Sequence, residues 1–118
     1  TIFCCQAAVP MMIRQRAGKI VTIGSQAGMK SGVRGGGGPY RVAKAGVIHH
    51  TRVLAAEVGK YNINVNCLAP AYIRSSRKIA QGADRKERGE GLEAQIALGR
   101  QGMPKDCAKV RVPGRRSV

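Results

Sequence analysis

Bulk is the first thing this sequence is short of. It has no Trp, one Phe (Phe3) and three Tyr in 118 residues, so any core rests on Val, Ile, Leu, Ala and Met, which bury less area per side chain. A self-standing fold made of such material is marginal. Acidic residues are also scarce, with six against 21 Lys and Arg, and the first of them is Glu57. The formal charge of +15 raises the question of a nucleic-acid partner. The basic residues are spread along the whole chain, however, without the interleaved aromatics that a single-strand binder uses for stacking. They read as a basic fragment whose acidic counterweight lies elsewhere, and a basic nucleic-acid-binding segment is kept as the weaker alternative.

The four cysteines, Cys4, Cys5, Cys67 and Cys107, contain no C-x-x-C, so neither a zinc site nor a disulfide framework is spelled out. They read as small buried hydrophobes in a reducing compartment. The opening apolar run, Thr1 to Ile13, lacks a basic leader and is too short to span a bilayer. The expectation is a cytoplasmic protein without a membrane segment. A chain that begins at Thr1 rather than Met implies processing or an upstream segment. No G-x-G-x-x-G opens a helix after a strand, and no Lys-Ser or Lys-Thr follows the run Gly35 to Gly38, so that run reads as a spacer and not as a phosphate cradle.

What is present is an α/β pattern. Residues 1–16 keep apolar side chains at helical spacing and end in Arg14 and Arg16, with Pro10 predicting a bend or a distorted middle turn. Ala17-Gly18 is expected to break that helix. Lys19 to Gly24 (KIVTIG) has the near-continuous apolarity of a strand buried on both faces. Ser25 to Pro39 reads as loop, with Pro39 near a helix start. Residues 40–58 form the clearest helix, with Gly59 placed to end it, and Ile63 to Leu68 (INVNCL) is a second strand. Strand, long helix and strand in this length make a right-handed βαβ unit with parallel strands. Beyond it, Leu92 to Leu98 is a short helix candidate, and Pro104 opens another with Asp106 in its first turn. The last residues, 111–118, read as a basic, disordered tail to a partial domain over residues 1–110.

Tyr40 and Lys44 sit four apart on one helix and therefore project from one face. A Tyr hydroxyl is a poor proton carrier at neutral pH, but a nearby ammonium favours the phenolate and draws its pKa toward the working range. Tyr40 could then exchange a proton with an alkoxide or alcohol. Ser25 lies at the C-terminal end of the preceding strand, where open α/β sheets place their ligands. A Y-x-x-x-K pair with an upstream Ser is also found by chance on helix surfaces, and the pair alone fits surface decoration. His49 and His50, being adjacent, point about 100° apart and read as structural, with at least one facing solvent or a partner helix.

The surrounding residues carry more. Gly18 to Gly28 (GKIVTIGSQAG), Pro39 to Val47 (PYRVAKAGV) and Ile63 to Ala71 (INVNCLAPA) together resemble the short-chain dehydrogenase/reductase family, most closely its 3-oxoacyl-carrier-protein reductase branch, over residues 1–110. The resemblance implies a Rossmann-like, doubly wound parallel sheet of which the later βαβ unit and flanking helices are present. It implies an oxidoreductase that moves a hydride between NAD or NADP and a small-molecule carbonyl or secondary alcohol. Tyr40 matches the family's catalytic acid/base, Lys44 the residue that assists it and binds the nicotinamide ribose, and Ser25 the residue that orients the substrate oxygen. Pro70 and Ala71 stand where the family has a Pro-Gly turn beside the nicotinamide. Ile73 falls where a backbone group meets the carboxamide, and Ser75 where a Thr hydroxyl meets the cofactor. The resemblance also implies a homo-oligomer packed through helices 1–16 and 40–58.

The departures are equally specific. The family's Gly-rich pyrophosphate turn, its Asn-Ala-Gly strand and its catalytic Asn are not in these residues, and after Val110 the chain gives Val112-Pro113-Gly114 where an apolar helix is expected. Ser25 to Tyr40 is longer than the family's spacing, so Gly35 to Gly38 must loop out. These departures keep a second reading open, a truncated and catalytically inactive fragment acting at most by subunit association. Substrate identity and the choice between NAD and NADP are not written in the sequence.

Overall fold

Helix α1 spans Ile2–Gln15 and turns Cys5, Val9, Met12 and Ile13 inward at spacings of three to four residues. The computed structural model in which it is seen describes residues 1–29, 38–74 and 93–110. The helix runs through Pro10 without dividing there. Pro10 has no N–H for the carbonyl four residues back, at Gln6. Both residues are exposed, so water can satisfy that carbonyl. The helix is closed by Arg16, left-handed at φ 50°, rather than by Ala17-Gly18. The N–H of Arg16 donates to the Ile13 carbonyl (3.1 Å) and that of Ala17 to Met12 (3.2 Å).

Strand β1 (Gly18–Ile23) begins one residue earlier than its apolar run suggests. It pairs in parallel with β2 (Ile63–Leu68), from Gly18 opposite Ile63 to Ile23 opposite Leu68. The crossover between them contains a 3₁₀ turn, Gln26–Gly28, and helix α2, Gly38–Val58. Helix α2 therefore starts two residues ahead of Tyr40 and takes in Gly38 and Pro39, a residue whose fixed φ suits a first turn. The α-helix ends at Val58, directly before Gly59, as expected. Gly59 enters a 3₁₀ turn, Gly59–Tyr61, and the reversal falls on Asn62 at φ 62°, a residue that tolerates the left-handed region. Asn62 Nδ2 donates to the Arg16 carbonyl at 3.1 Å, tying together the two points where the chain enters its strands.

The core draws on α1, α2 and one face of the sheet. Cys5, Leu54, Val58 and Ile63 are buried, with Val9, Met12, Ile13, Ile20, Tyr61 and Val65 packed around them. The opposite sheet face carries Lys19, Val21, Ile23, Asn64 and Asn66, all exposed. The expectation that the first strand is buried on both faces is corrected accordingly: among the described residues, both helices cover the same face.

The described residues fall into two units, residues 1–70 and residues 71–110. In the second, Ile73 bridges Gly102 in parallel fashion, with the Arg74 N–H donating to the Gly102 carbonyl at 2.7 Å and the Gly102 N–H to Tyr72 at 2.9 Å. Helix α3 (Pro104–Ala108) opens on Pro104 as its sequence indicates. Of the helix expected at Leu92 to Leu98, Leu92 lies outside the described residues and the helix does not continue past Glu93; residues 94–98 are turns and bends, and Gly99 then reverses the chain at φ 62°. The seven residues from Leu92 to Leu98 amount to about two turns, too few to repay helix nucleation unaided. The tail at 111–118 and the glycines 35–37 lie outside the described residues.

Candidate active site

The candidate site is built at the C-terminal ends of β1 and β2. Past Ile23 the ladder continues for one more bond, from the Gly24 N–H to the Leu68 carbonyl (2.8 Å), and the Gln26 N–H then donates to the Pro70 carbonyl at 3.0 Å. This second bond fixes the segment carrying Ser25 against the turn at Pro70. Ser25 is buried and extended. Its Oγ accepts from the Ala27 N–H at 3.1 Å and its carbonyl from the Gly28 N–H at 3.0 Å, so the 3₁₀ turn holds it at both ends. Accepting a bond uses a lone pair only and leaves the hydroxyl proton free to be donated.

Tyr40 and Lys44 come from the first turns of α2. Tyr40 is 53% exposed, which leaves its ring open to a ligand. Lys44 is half-buried; its Nζ donates to the Ile23 carbonyl at 2.8 Å and lies 5.8 Å from the centroid of the Tyr40 ring. One proton of the ammonium is committed to the strand, and two others remain for further acceptors. Lys44 thus stands between Tyr40, one turn before it on the helix, and the strand end that leads into Ser25. A cavity of about 460 Å³ opens beside it, walled by Cys4, Cys5 and Ala8 of α1 and by Ile20 to Ile23 of β1.

The structure therefore gathers Ser25, Lys44 and Pro70 around the strand ends and keeps Tyr40 beside Lys44. Ala71 is exposed and Ile73 half-buried in the second unit, where the Ile73 backbone is engaged with Gly102. Ser75 lies outside the described residues. Of the two histidines, His49 is exposed and His50 half-buried. His50 Nε2 is enclosed and has no hydrogen-bond partner among the described residues.

Two features were not singled out from the sequence. A Cβ added at Gly28 would stand 2.6 Å from both Ala45 N and Lys44 C, so the 3₁₀ turn after Ser25 presses backbone to backbone on the helix that carries Lys44. The other is a pair of buried hydroxyls, Thr22 Oγ1 and Thr51 Oγ1, 2.6 Å apart. Thr51 was visible as the one polar residue in the stripe Val47, Thr51, Leu54, Val58; nothing in the sequence marked its partner. Among the described residues no group of His, Cys, Asp and Glu is arranged to hold a metal ion.

Residues 1–112 match the family model described as enoyl-(acyl carrier protein) reductase. Cyclohexanol dehydrogenase of Rhodococcus sp. (strain TK6) is 44% identical over 110 residues, covering 93% of this chain and 40% of that protein. Carbonyl reductase family member 4 of Xenopus laevis is 40% identical, covering 92% and 43%. An oxidoreductase of the short-chain dehydrogenase/reductase family from Burkholderia thailandensis superposes with a TM-score of 0.75 at 27% identity, covering 89% of this chain and 40% of that one. A gluconate 5-dehydrogenase from Burkholderia cenocepacia, in complex with NADP and tartrate, gives 0.74 at 28%, covering 87% and 39%. The chain spans about two fifths of the length of such relatives. With the family model matched across nearly its whole length and a parallel βαβ unit that superposes on solved members, the chain belongs to the short-chain dehydrogenase/reductase family.

Proposed function

We propose that these residues form the proton-transfer half of an oxidoreductase that moves a hydride between NAD or NADP and a carbonyl or secondary alcohol. The observation that carries this reading is the placing of Lys44 between the Tyr40 ring and the strand end leading into Ser25. In this reading Ser25 donates to the substrate oxygen, and Tyr40 gives its proton to the alkoxide as that oxygen gains charge. The Lys44 ammonium stabilises the phenolate left behind. The donor set would suit a ribose beside a flat ring: the exposed Tyr40 hydroxyl and the uncommitted Lys44 protons would hold its hydroxyls, and Pro70 would offer an apolar surface. When bound, the nicotinamide supplies or accepts the hydride. Support for a nicotinamide cofactor comes also from the NADP-bound relative.

The test is turnover in a protein carrying these residues at the length of the family's members. Tyr40→Phe is expected to lower kcat about 10²- to 10⁴-fold while cofactor affinity stays nearly unchanged. A Phe variant that keeps its rate refutes the assignment of Tyr40.

Self-association through α1 and α2 belongs to the same proposal. On α2 the exposed residues Val42, Gly46, His49, Val53 and Ala56 follow a spacing of four, three, four and three, the seam of a helix that pairs with another. Val42 is 73% exposed and Phe3 of α1 84%, and the small residues Gly46 and Ala56 allow close approach. A cavity of about 460 Å³ between the two helices, lined by Val9, Pro10, Ile13 and the orphaned His50, adds a place for a partner's side chains. A second copy of the chain would cover the exposed seam and fill this cavity.

A further inference from the structure

We propose that Thr51 and Thr22 are positioning residues for the site, setting where Lys44 and Tyr40 stand along β1; this rests on the reading of Ser25, Tyr40 and Lys44 given above. Both threonines are 4% exposed, in a helix–sheet contact otherwise made of apolar side chains. Each hydroxyl has one proton to give. Thr51 Oγ1 lies 2.7 Å from the Val47 carbonyl and 2.6 Å from Thr22 Oγ1, whereas Thr22 Oγ1 to the Asn66 carbonyl is 3.4 Å. The two short contacts are both satisfied only if Thr51 donates to Val47 and Thr22 donates to Thr51. Thr22 thereby reaches from the strand to the helix.

The Thr22–Thr51 bond and the Lys44 bond both join α2 to β1, and they differ in stiffness. Lys44 reaches the Ile23 carbonyl through four rotatable bonds, so its bond weakens as the helix moves but offers little resistance to that movement. Thr51 and Thr22 have one rotatable bond each and a restricted χ1. Moving α2 by one residue, about 1.5 Å along its axis, breaks their bond, leaving Thr51 its Val47 carbonyl and Thr22 only the long contact to Asn66. Thr51 stands seven residues, two turns, beyond Lys44 on the same face, so the hydroxyl pair is the fixed point and the lysine the adjustable one. The close approach of Gly28 to the Lys44 and Ala45 backbone limits movement toward the turn but does not set the position along the strand.

The test reads the Lys44 ammonium directly by ¹⁵N-detected NMR on the full chain, the signal being assigned by its loss in Lys44→Arg. Wild type is expected to show a Lys44 ammonium protected from solvent exchange. In Thr51→Val, protection is expected to fall about tenfold, the scale of one lost hydrogen bond; Thr51→Ser, which restores the hydroxyl, should return it to within about twofold. Far-UV circular dichroism identifies a variant that has merely unfolded, and Thr22→Val, which removes the same bond from the strand side, then supplies the comparison. Unchanged protection in Thr51→Val or Thr22→Val overturns the proposal, as does loss in Thr51→Ser equal to that in Thr51→Val, or no protected Lys44 in wild type. In a family-length protein, Thr51→Val should lower kcat about tenfold with KM for the carbonyl substrate unchanged, and Thr51→Ser should recover it. Absence of turnover in the wild-type protein, with the NMR result as expected, would count against the catalytic reading and not against the positioning.

Discussion

A carboxylate held between a guanidinium and the amide of the residue that caps a short helix gives the clearest electrostatic signature among the described residues. Asp106 Oδ2 accepts from Arg100 Nη1 at 2.8 Å and from the Met103 N–H at 2.8 Å. The Arg100 hydrogen bond first, and the Met103 amide after it, lower the Asp106 pKa to about 2. An unfolded chain titrates its Asp near 4. The folded value is the lower one, so the support Asp106 gives to α3 is complete above the unfolded pKa and is lost as pH falls through about 2. The carboxyl carbon of Asp106, followed by NMR, should titrate with a midpoint near 2, and a midpoint near 4 would contradict the geometry. Gly28 is a second residue whose role is steric. Ala at this position places a methyl group 2.6 Å from two backbone atoms, which cannot swing aside as a side chain can. Gly28→Ala should cost about 1–3 kcal/mol by overpacking, measured by urea unfolding, whereas Gly59→Ala, whose added Cβ meets nothing within 4 Å, should be neutral or stabilising.

At the scale of elements, the sequence made some things legible and hid others for physical reasons. The two helices and two strands of the βαβ unit were visible because apolar periodicity is strong over long stretches. The end of α2 and both ends of the second strand were legible too, but the residues that reverse the chain were not, because a cap depends on where one residue can turn left-handed. Arg16 does so although glycine stands two residues on, and Asn62 does so although Gly59 was available. The candidate site was legible as Ser25, Tyr40 and Lys44 because these lie in recognisable motifs. The residues that hold them apart were hidden: an interhelical or helix–strand hydroxyl bond such as Thr22 to Thr51 needs the fold before the two partners can be matched. Burial was misjudged for β1, since an apolar run says that a strand can be covered and not by what. The same logic applies to α2. Its outer seam is apolar at Val42 and Val53, and Val53→Asp, in the centre of that seam, should shift the mass measured by light scattering from that of two or more copies to one. A wild-type chain that is already a single copy at high concentration would refute the pairing of these helices.

For the molecule as a whole, stability and charge pull in opposite directions. Among the described residues, its first unit has four buried hydrophobic side chains, Cys5, Leu54, Val58 and Ile63, and a two-stranded sheet, a combination near the lower limit of independent stability. Covering the α2 seam with a second copy adds stability by mass action, so the apparent urea midpoint should rise with protein concentration, by up to about 1.4 kcal/mol per tenfold in the associating regime. Against this stands a formal charge of +15 on each chain, which repels a second copy and is screened as ionic strength increases. Self-association should therefore strengthen between about 50 and 500 mM salt, where the Debye length falls from about 14 to 4 Å. Nucleic-acid binding driven by the same charge must do the reverse, weakening steeply as counterions compete. Light scattering and filter binding over one salt series accordingly separate the two uses of the charge: association that grows with salt supports the helix seam, and a nucleic-acid affinity that is high at low salt and collapses over the series would make the basic surface itself the functional feature.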